Sequence, residues 1–464
     1  MEQITLTLEN KTTQQTLVEI YQQSLKQEIN LGKVIETYSP EFGQSDQTTK
    51  MFEAKPLEYP IKIKQALVEI VQEYNAEFAN IINKVKISPQ DYKYCDGSNF
   101  PNSVGVQIDM VALSPEILAA CENKDVSLKD IKLFLKRRMF EIENNLASST
   151  FLNAMNSIFT KSSRITLDRY RESTSKKVYI LATTQNKYES IASGEFGKSS
   201  PDSVYDQKVL QESGFDGIMG PQEFITMINN NEELPLFYVR SSLDTCQLKN
   251  PNQARTSSLL DNPEYVKIIR QNSITPNVDY PNSKRKTNDT KEYMTAMNMG
   301  YKVESIEDIF NPIFLNILSK PKLKESMTSD VFNPKFVEFC KLAGVDIKNI
   351  LDGTIKLRAK PNIESYGCYG HIREQFGQRF VNQLVKELKS RGSYMIQPEM
   401  EIMQLTNIYD GESYKCIDRN FLMADSNGEI KFVCGYRSHL NINTTEAKKN
   451  NIHGNDSTIY SNIN

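Results

Sequence analysis

The segment from His371 to Arg437 confines the fold more than any other part of the chain. HIREQFGQRFVNQLVKELKSRG (371–392) spaces Ile372, Phe376, Phe380, Leu384 and Leu388 four residues apart. Val381 and Val385 widen that stripe, and Gly392 stands where a helix ends. Such a face must bury against something. EMEIMQLTNIY, SYKCIDRNFLMA and EIKFVCGYR follow, divided by DGE and SNG. Short turns between β-prone runs predict a three-stranded antiparallel meander. A helix followed by an antiparallel meander makes the expected class α+β.

Upstream the pattern is mainly helical. IKIKQALVEIVQEYNAEFANIINKVK (61–86) puts Ile63, Leu67, Ile70, Tyr74, Phe78, Ile81 and Val85 on one face. VGVQIDMVAL (104–113) reads as a strand. Ser127, with Asp130 three residues on, resembles a capping box opening a helix through DIKLFLKRRMFEIENNL, and a further helix is expected over 148–162. VYILATT (178–184) and LPLFYVRSS (234–242) read as strands with helices between them. From Ser241 to about Thr290 the chain is rich in Asn, Pro, Ser and Thr, which predicts a linker or irregular crossing. Helices resume with KEYMTAMNM, ESIEDIFNPIFLNILSK and Phe336–Ala343.

At 464 residues the chain exceeds one core and suits two or three domains. The expected division is a mainly helical part (1–185), a mixed part with the linker (186–290), a helix-plus-meander part (291–442) and a disordered tail (443–464). No run of about eighteen apolar residues predicts a membrane span. The N-terminal MEQITLTLENKTTQQ lacks the features of a secretion signal. Seven scattered cysteines without a CxxC point to reduced thiols in a cytosol-like compartment.

Catalytic and metal patterns are weak. In ASGEFGKSSPDS (192–203) a phosphate loop needs Gly where Ala192 stands, and Pro201 starts any helix too late. Cys368 and His371 have the spacing of half a metal site, but Cys416 and Cys434 read more simply as small apolar residues on strands, so no metal is expected. Of three histidines, His453 falls in the tail, and neither His371 nor His439 follows a nucleophile-elbow pattern. PDSVYDQK (201–208) and the Glu399/Glu401 pair resemble nuclease carboxylates only as far as exposed acids on a strand do. No cofactor is expected.

Charge is more informative. The net charge is −3, yet Ile131–Lys177 holds ten Lys/Arg against four Asp/Glu, and Ile355–Met395 eight against three. Local excess of this kind suits phosphates, because Arg and Lys release condensed counterions. The basic groups are Lys136, Arg137 and Arg138; Arg164 with its neighbours around Tyr170; and Lys284, Arg285 and Lys286. Each also reads as an ordinary solvated face. SYGCYGHIREQFGQRF (365–380) adds rings at Tyr366, Tyr369 and His371 for an unstacked base, with Arg373 and Arg379 facing outward and Arg391 at the helix end. Its bland reading is a tyrosine loop packed under the meander.

In size, Asn- and Lys-rich composition and the passage from SYGCYGHIREQFGQRF into the meander, the chain resembles the promoter-specificity subunits of giant-phage non-virion RNA polymerases. The resemblance implies a non-catalytic subunit in the cytoplasm of the infected bacterial host. Its implied partners are a core of split β-like and β′-like chains and promoter DNA, with no membrane. The helical N-terminal part then docks on the core and the C-terminal part reads DNA, in which uracil replaces thymine in some such phages. The competing expectation is an effector or phage accessory protein that binds a host protein and no nucleic acid.

Overall fold

Helical and alternating patterns place most elements, but the sheets they enter are set by pairing between distant segments. The computed structural model describes residues 13–29, 34–37, 50–53, 57–84, 105–143, 175–185, 188–189, 192, 216–239, 258–259, 262–272, 299–314, 328–361, 372–408, 411–424, 429–443 and 459–464. The first elements are α1 (Thr13–Gln23), β1 (Lys26–Ile29), β2 (Val34–Thr37), β3 (Lys50–Glu53), α2 (Ile61–Lys84) and β4 (Gly105–Val111). Then come α3 (Pro115–Glu122), α4 (Leu128–Lys136), β5 (Met139–Glu143), β6 (Val178–Leu181), β7 (Gly217–Met219), α5 (Pro221–Asn229), β8 (Leu236–Val239) and α6 (Pro263–Gln271). The C-terminal elements open with β9 (Tyr301–Val303), α7 (Pro334–Ala343), α8 (Ile347–Leu351), β10 (Lys356–Pro361), β11 (Ile372–Gln375) and α9 (Gln378–Arg391). They close with β12 (Tyr394–Pro398), β13 (Gln404–Asn407), β14 (Ser413–Ala424), β15 (Ile430–Asn441) and β16 (Ile459–Ile463). The fold is mixed α+β.

The expected meander is present as β13, β14 and β15, each antiparallel to the next. It is the centre of a nine-stranded sheet of order β1-β13-β14-β15-β16-β3-β2. β4 also joins β14, and β5 joins β4. The first 185 residues therefore supply five strands to this sheet beside helices α1 to α4. Local periodicity carries no information about such long-range pairing. Where a disordered tail is expected over 443–464, its last residues form β16, which enters between β15, antiparallel, and β3, parallel; residues 444–458 lie outside the described residues. Asn464 closes the seam, donating its backbone N–H to Leu57 O and accepting that of Tyr59 (2.9 and 3.1 Å).

Helices α1 to α4 contribute to the main core. Leu17, Ile63, Leu67, Ile70, Tyr74, Ile117 and Phe134 join Ile108, Met110, Leu422 and Ile463 in one buried cluster. Ser127 caps α4, its Oγ accepting from the Asp130 N–H at 3.2 Å, as the sequence predicts. The helix does not run on to 146, however. Arg137 is its C-cap, and MFEIE forms β5 against β4 instead. The helix expected over 148–162 lies outside the described residues.

A second body has the antiparallel sheet β11-β10-β12-β9. The amphipathic helices α7 and α9 bury Phe336, Phe380 and Leu384 with Phe310, Phe332 and Phe376 in its core. Ile372 and Phe376 belong to that core as expected, but from a strand and a turn: α9 begins only after Gly377. Ile372, Glu374 and Phe376 also alternate, and β11 uses the period of two by pairing with β10. Met395 of β12 and Met299 belong to the first body's core. Gln397 Nε2 donates to the carbonyls of Met139 (3.0 Å) and Met299 (2.8 Å), and Lys360 Nζ donates to Phe140 O (2.6 Å). These bonds seal the joint by satisfying carbonyls of the first body.

Gly344, the C-cap of α7, sits at the same joint with φ +81°, and an added Cβ would lie 3.0 Å from Arg138 Nη2 and 3.1 Å from Val18 Cγ1. Gly344→Ala is expected to cost about 1–3 kcal/mol through backbone strain and this crowding. A urea midpoint equal to wild type would show that the joint yields.

The third sheet is small and parallel, of order β7-β6-β8. With α5 and α6 it buries Leu181, Met219, Phe224, Phe237 and Ile269. α6 lies within the stretch expected as linker, whose remainder is largely outside the described residues. Among the described residues no helix is long and apolar enough to cross a membrane.

Candidate nucleic-acid interface

α9 carries the clearest asymmetry of charge. Phe380, Val381, Leu384 and Leu388 are buried, so the 3.6-residue period turns Gln378, Arg379, Asn382, Lys386, Lys389 and Ser390 outward. The only acid on the helix is Glu387, half-buried and engaged by Arg391 Nε (3.0 Å) and the Tyr394 hydroxyl (3.3 Å). The outer face thus has no carboxylate. Lys386 and Lys389 have no anionic partner among the described residues. Arg379 reaches Glu374 at 3.3 Å, but its side chain is 83 % exposed, so that pair is weak. Asn382, Val385, Lys386, Lys389 and Ser390 line a shallow groove of about 580 Å³.

A second basic group surrounds Glu399. Arg373 forms a close ion pair with it, and Arg358, directly opposite on β10, stands 3.8 Å away. Lys415 is near enough to feel both Glu399 and Arg373, while burial lowers the pKa of its ammonium. Three cations therefore surround one carboxylate. Because side chains alternate along β11, Arg373 points to the opposite sheet face from Ile372 and the helices.

The expected surface is thereby divided. Arg379 is outward, as expected, whereas Arg373 is a half-buried strand residue held by Glu399. Arg391 is largely engaged by Glu387. Lys136, Arg137 and Arg138 are corrected outright: all three are buried. Lys136 forms an ion pair with Glu73 of α2, and the turn after α4 folds both arginines inward. Glu73 sits below the usual carboxylate range: burial opposes ionisation, but hydrogen bonds from Lys132 and Lys136 outweigh it. Tyr366, Tyr369, His371, Lys284, Arg285, Lys286, Arg164, Cys368 and the GKSS loop lie outside the described residues. Glu399 and Glu401 precede β13 and are not strand acids. Lys386, Lys389, Arg358 and Lys415 were not singled out from the sequence. The excess of basic residues over 355–395 is the signal that contains the first three.

The constellation nearest to catalytic machinery is inside the large sheet. Cys416 Sγ lies 3.3 Å from His439 Nδ1, whose Nε2 lies 2.8 Å from Ser461 Oγ. All three residues are buried, and burial, helped by Arg437, pushes the imidazole down to about 3. A neutral ring bridging β14, β15 and β16, with no exposed edge, fastens strands. Beside it Asp418 accepts from Tyr59 Oη (2.5 Å), Leu113 N (3.1 Å) and both Nε and Nη2 of Arg437 (2.6 and 2.8 Å). Asp109 and Arg419 form a second buried bidentate pair, both contacts 2.7 Å. Cys434 is buried on β15, and no group of three or more potential metal ligands occurs among the described residues.

No protein-family model matches the chain, and no curated protein matches it in sequence.

Proposed function

We propose that the chain is a non-catalytic specificity subunit of a multisubunit RNA polymerase of the giant-phage kind, acting in the host cytoplasm. In this reading promoter DNA, in some phages containing uracil, lies along the outer face of α9. The observation that carries it is the carboxylate-free cationic face in a chain of net charge −3. Point charges at Lys386 and Lys389 suit phosphates, and the interleaved Gln378 and Asn382 supply neutral donors and acceptors for groove edges. Anionic lipid fits less well, because α9 exposes no large apolar side chain to insert; the exposed ones among the described residues are Ile61, Ile313 and Ile408. The β-like and β′-like core supplies the remaining affinity that an acidic subunit lacks.

The test is a promoter-binding and run-off transcription assay with polymerase core, comparing wild type with K386A/K389A. Wild type is expected to confer promoter-specific initiation, and the double variant to weaken DNA binding with a salt slope shallower by about two. Initiation that is equal with and without the chain overturns the proposal.

A further inference from the structure

We propose that Gln378 and Asn382 act together as a reading pair for adenine, met at the major-groove edge of a base pair in duplex DNA. The inference rests on the reading that DNA lies along α9, and adds which residues choose the sequence. The two residues are one helical turn apart and exposed, and Gln378 Nε2 donates to Asn382 Oδ1 at 2.7 Å. Their amides make no other hydrogen bond among the described residues. The pair is therefore left with the carbonyl oxygen of Gln378 as acceptor and the Nδ2 hydrogens of Asn382 as donors. Exchanging oxygen and nitrogen in both amides leaves the same inventory, one acceptor beside one donor group. The bond also holds two flexible side chains before a ligand arrives, which removes part of the ordering cost of recognition.

The choice of base follows from that inventory. In the major groove adenine presents N7 as acceptor and its N6 amino group as donor, the complement of an amide. Guanine presents two acceptors, which an arginine fork matches, and cytosine a donor, which a carboxylate matches. The outer face of α9 has no carboxylate, and Arg379 is turned towards Glu374 at 3.3 Å. Asn382 lines the groove on this face with Val385, Lys386, Lys389 and Ser390, so its amide sits in a concavity and not on a flat surface.

The lysines complete the approach. At 3.6 residues per turn Gln378, Asn382, Lys386 and Lys389 fall within about 80° of the helix circumference, so one duplex meets all four. With Asn382 against a base edge, Lys389 stands about 10 Å farther along the axis, comparable with the groove width of about 12 Å. The two ammonium groups therefore meet the flanking backbone, where they position the duplex without choosing its sequence. A-form RNA keeps the same base edges in a deep, narrow groove that side chains do not read, so the duplex is DNA.

The experiment selects DNA duplexes with a randomised central stretch on the full-length chain bound to polymerase core, with core alone as the control, and counts the bound sequences. Wild type is expected to favour adenine at one position or more. N382A and Q378A are expected to lower that preference about tenfold while preferences elsewhere persist. Replacing that adenine by 7-deazaadenine, which lacks the N7 acceptor, weakens binding by wild type but not by N382A, a pattern that a merely structural role of Asn382 would not give. K386A/K389A lowers binding evenly over all sequences. If K386A/K389A binds as wild type does, DNA does not lie on α9, and the interface and the adenine assignment fall together. If that variant binds less well, but wild type favours adenine nowhere or N382A keeps every preference of wild type, the adenine assignment alone falls. Loss in N382A of a preference for another base overturns it equally.

Discussion

Changing Asp418 to Ala is expected to lower the stability of the folded chain by about 3–5 kcal/mol, because it leaves a charged partner buried and uncompensated. Asp418 receives hydrogen bonds from three segments far apart in sequence: Tyr59 before α2, Leu113 after β4 and Arg437 on β15. Arg437 also donates to Leu113 O at 2.7 Å, so the carboxylate and guanidinium fill each other's remaining positions. Burial alone would lower the Arg437 pKa, yet Asp418 raises it, and the Tyr59 phenol is pushed up by burial and by Asp418. Removing the carboxylate strands both groups. Urea unfolding of D418A, R437M and the double variant measures the coupling. The double variant is expected to be more stable than the sum of the single losses implies. Strict additivity would show that the pair is not a unit.

The second large effect is a pH dependence centred on His439. Its folded pKa of about 3 lies below the ordinary 6.5, first because of burial and then because of Arg437. The unfolded chain therefore binds a proton there between those values while the folded chain does not. Stability present above pH 6.5 is lost as the pH falls towards 3, on the order of 3 kcal/mol by pH 4 at about 1.4 kcal/mol per pH unit. His439→Gln removes this proton. It is expected to be less stable than wild type near pH 7, since the bridge between Cys416 and Ser461 is disturbed, but to lose less on acidification. Urea unfolding from pH 7 to 4 checks this, and parallel curves for the two proteins would refute it.

Local pattern made α2, the Ser127 cap, the strands at β4, β6 and β8, the meander and the buried stripe of α9 legible, because each follows from the spacing of apolar residues within one segment. The same reasoning failed at 371–377, where spacing of four and alternation coincide in Ile372, Glu374 and Phe376. Pairing with β10 chose the strand. It failed again at Lys136–Arg138, where a basic tripeptide at a helix end is usually solvated. Here β5 must return along β4, which turns the arginines into the joint. For the candidate site, the sequence marked the basic bias of 355–395 and the outward Arg379, but not which cations retain an open face.

By itself, then, the sequence determined the class of the fold, the amphipathic stripe of α9 and the local excess of positive charge, all properties of neighbouring residues. Tertiary structure decided which charges are used up. Arg373 meets Glu399, Lys136 meets Glu73 and Arg437 meets Asp418 across separations of 26, 63 and 19 residues. Lys386 and Lys389 meet no such carboxylate among the described residues. The physical reason is that Coulomb energy and desolvation depend on distance and burial in space, which are fixed only when distant strands and helices pack together.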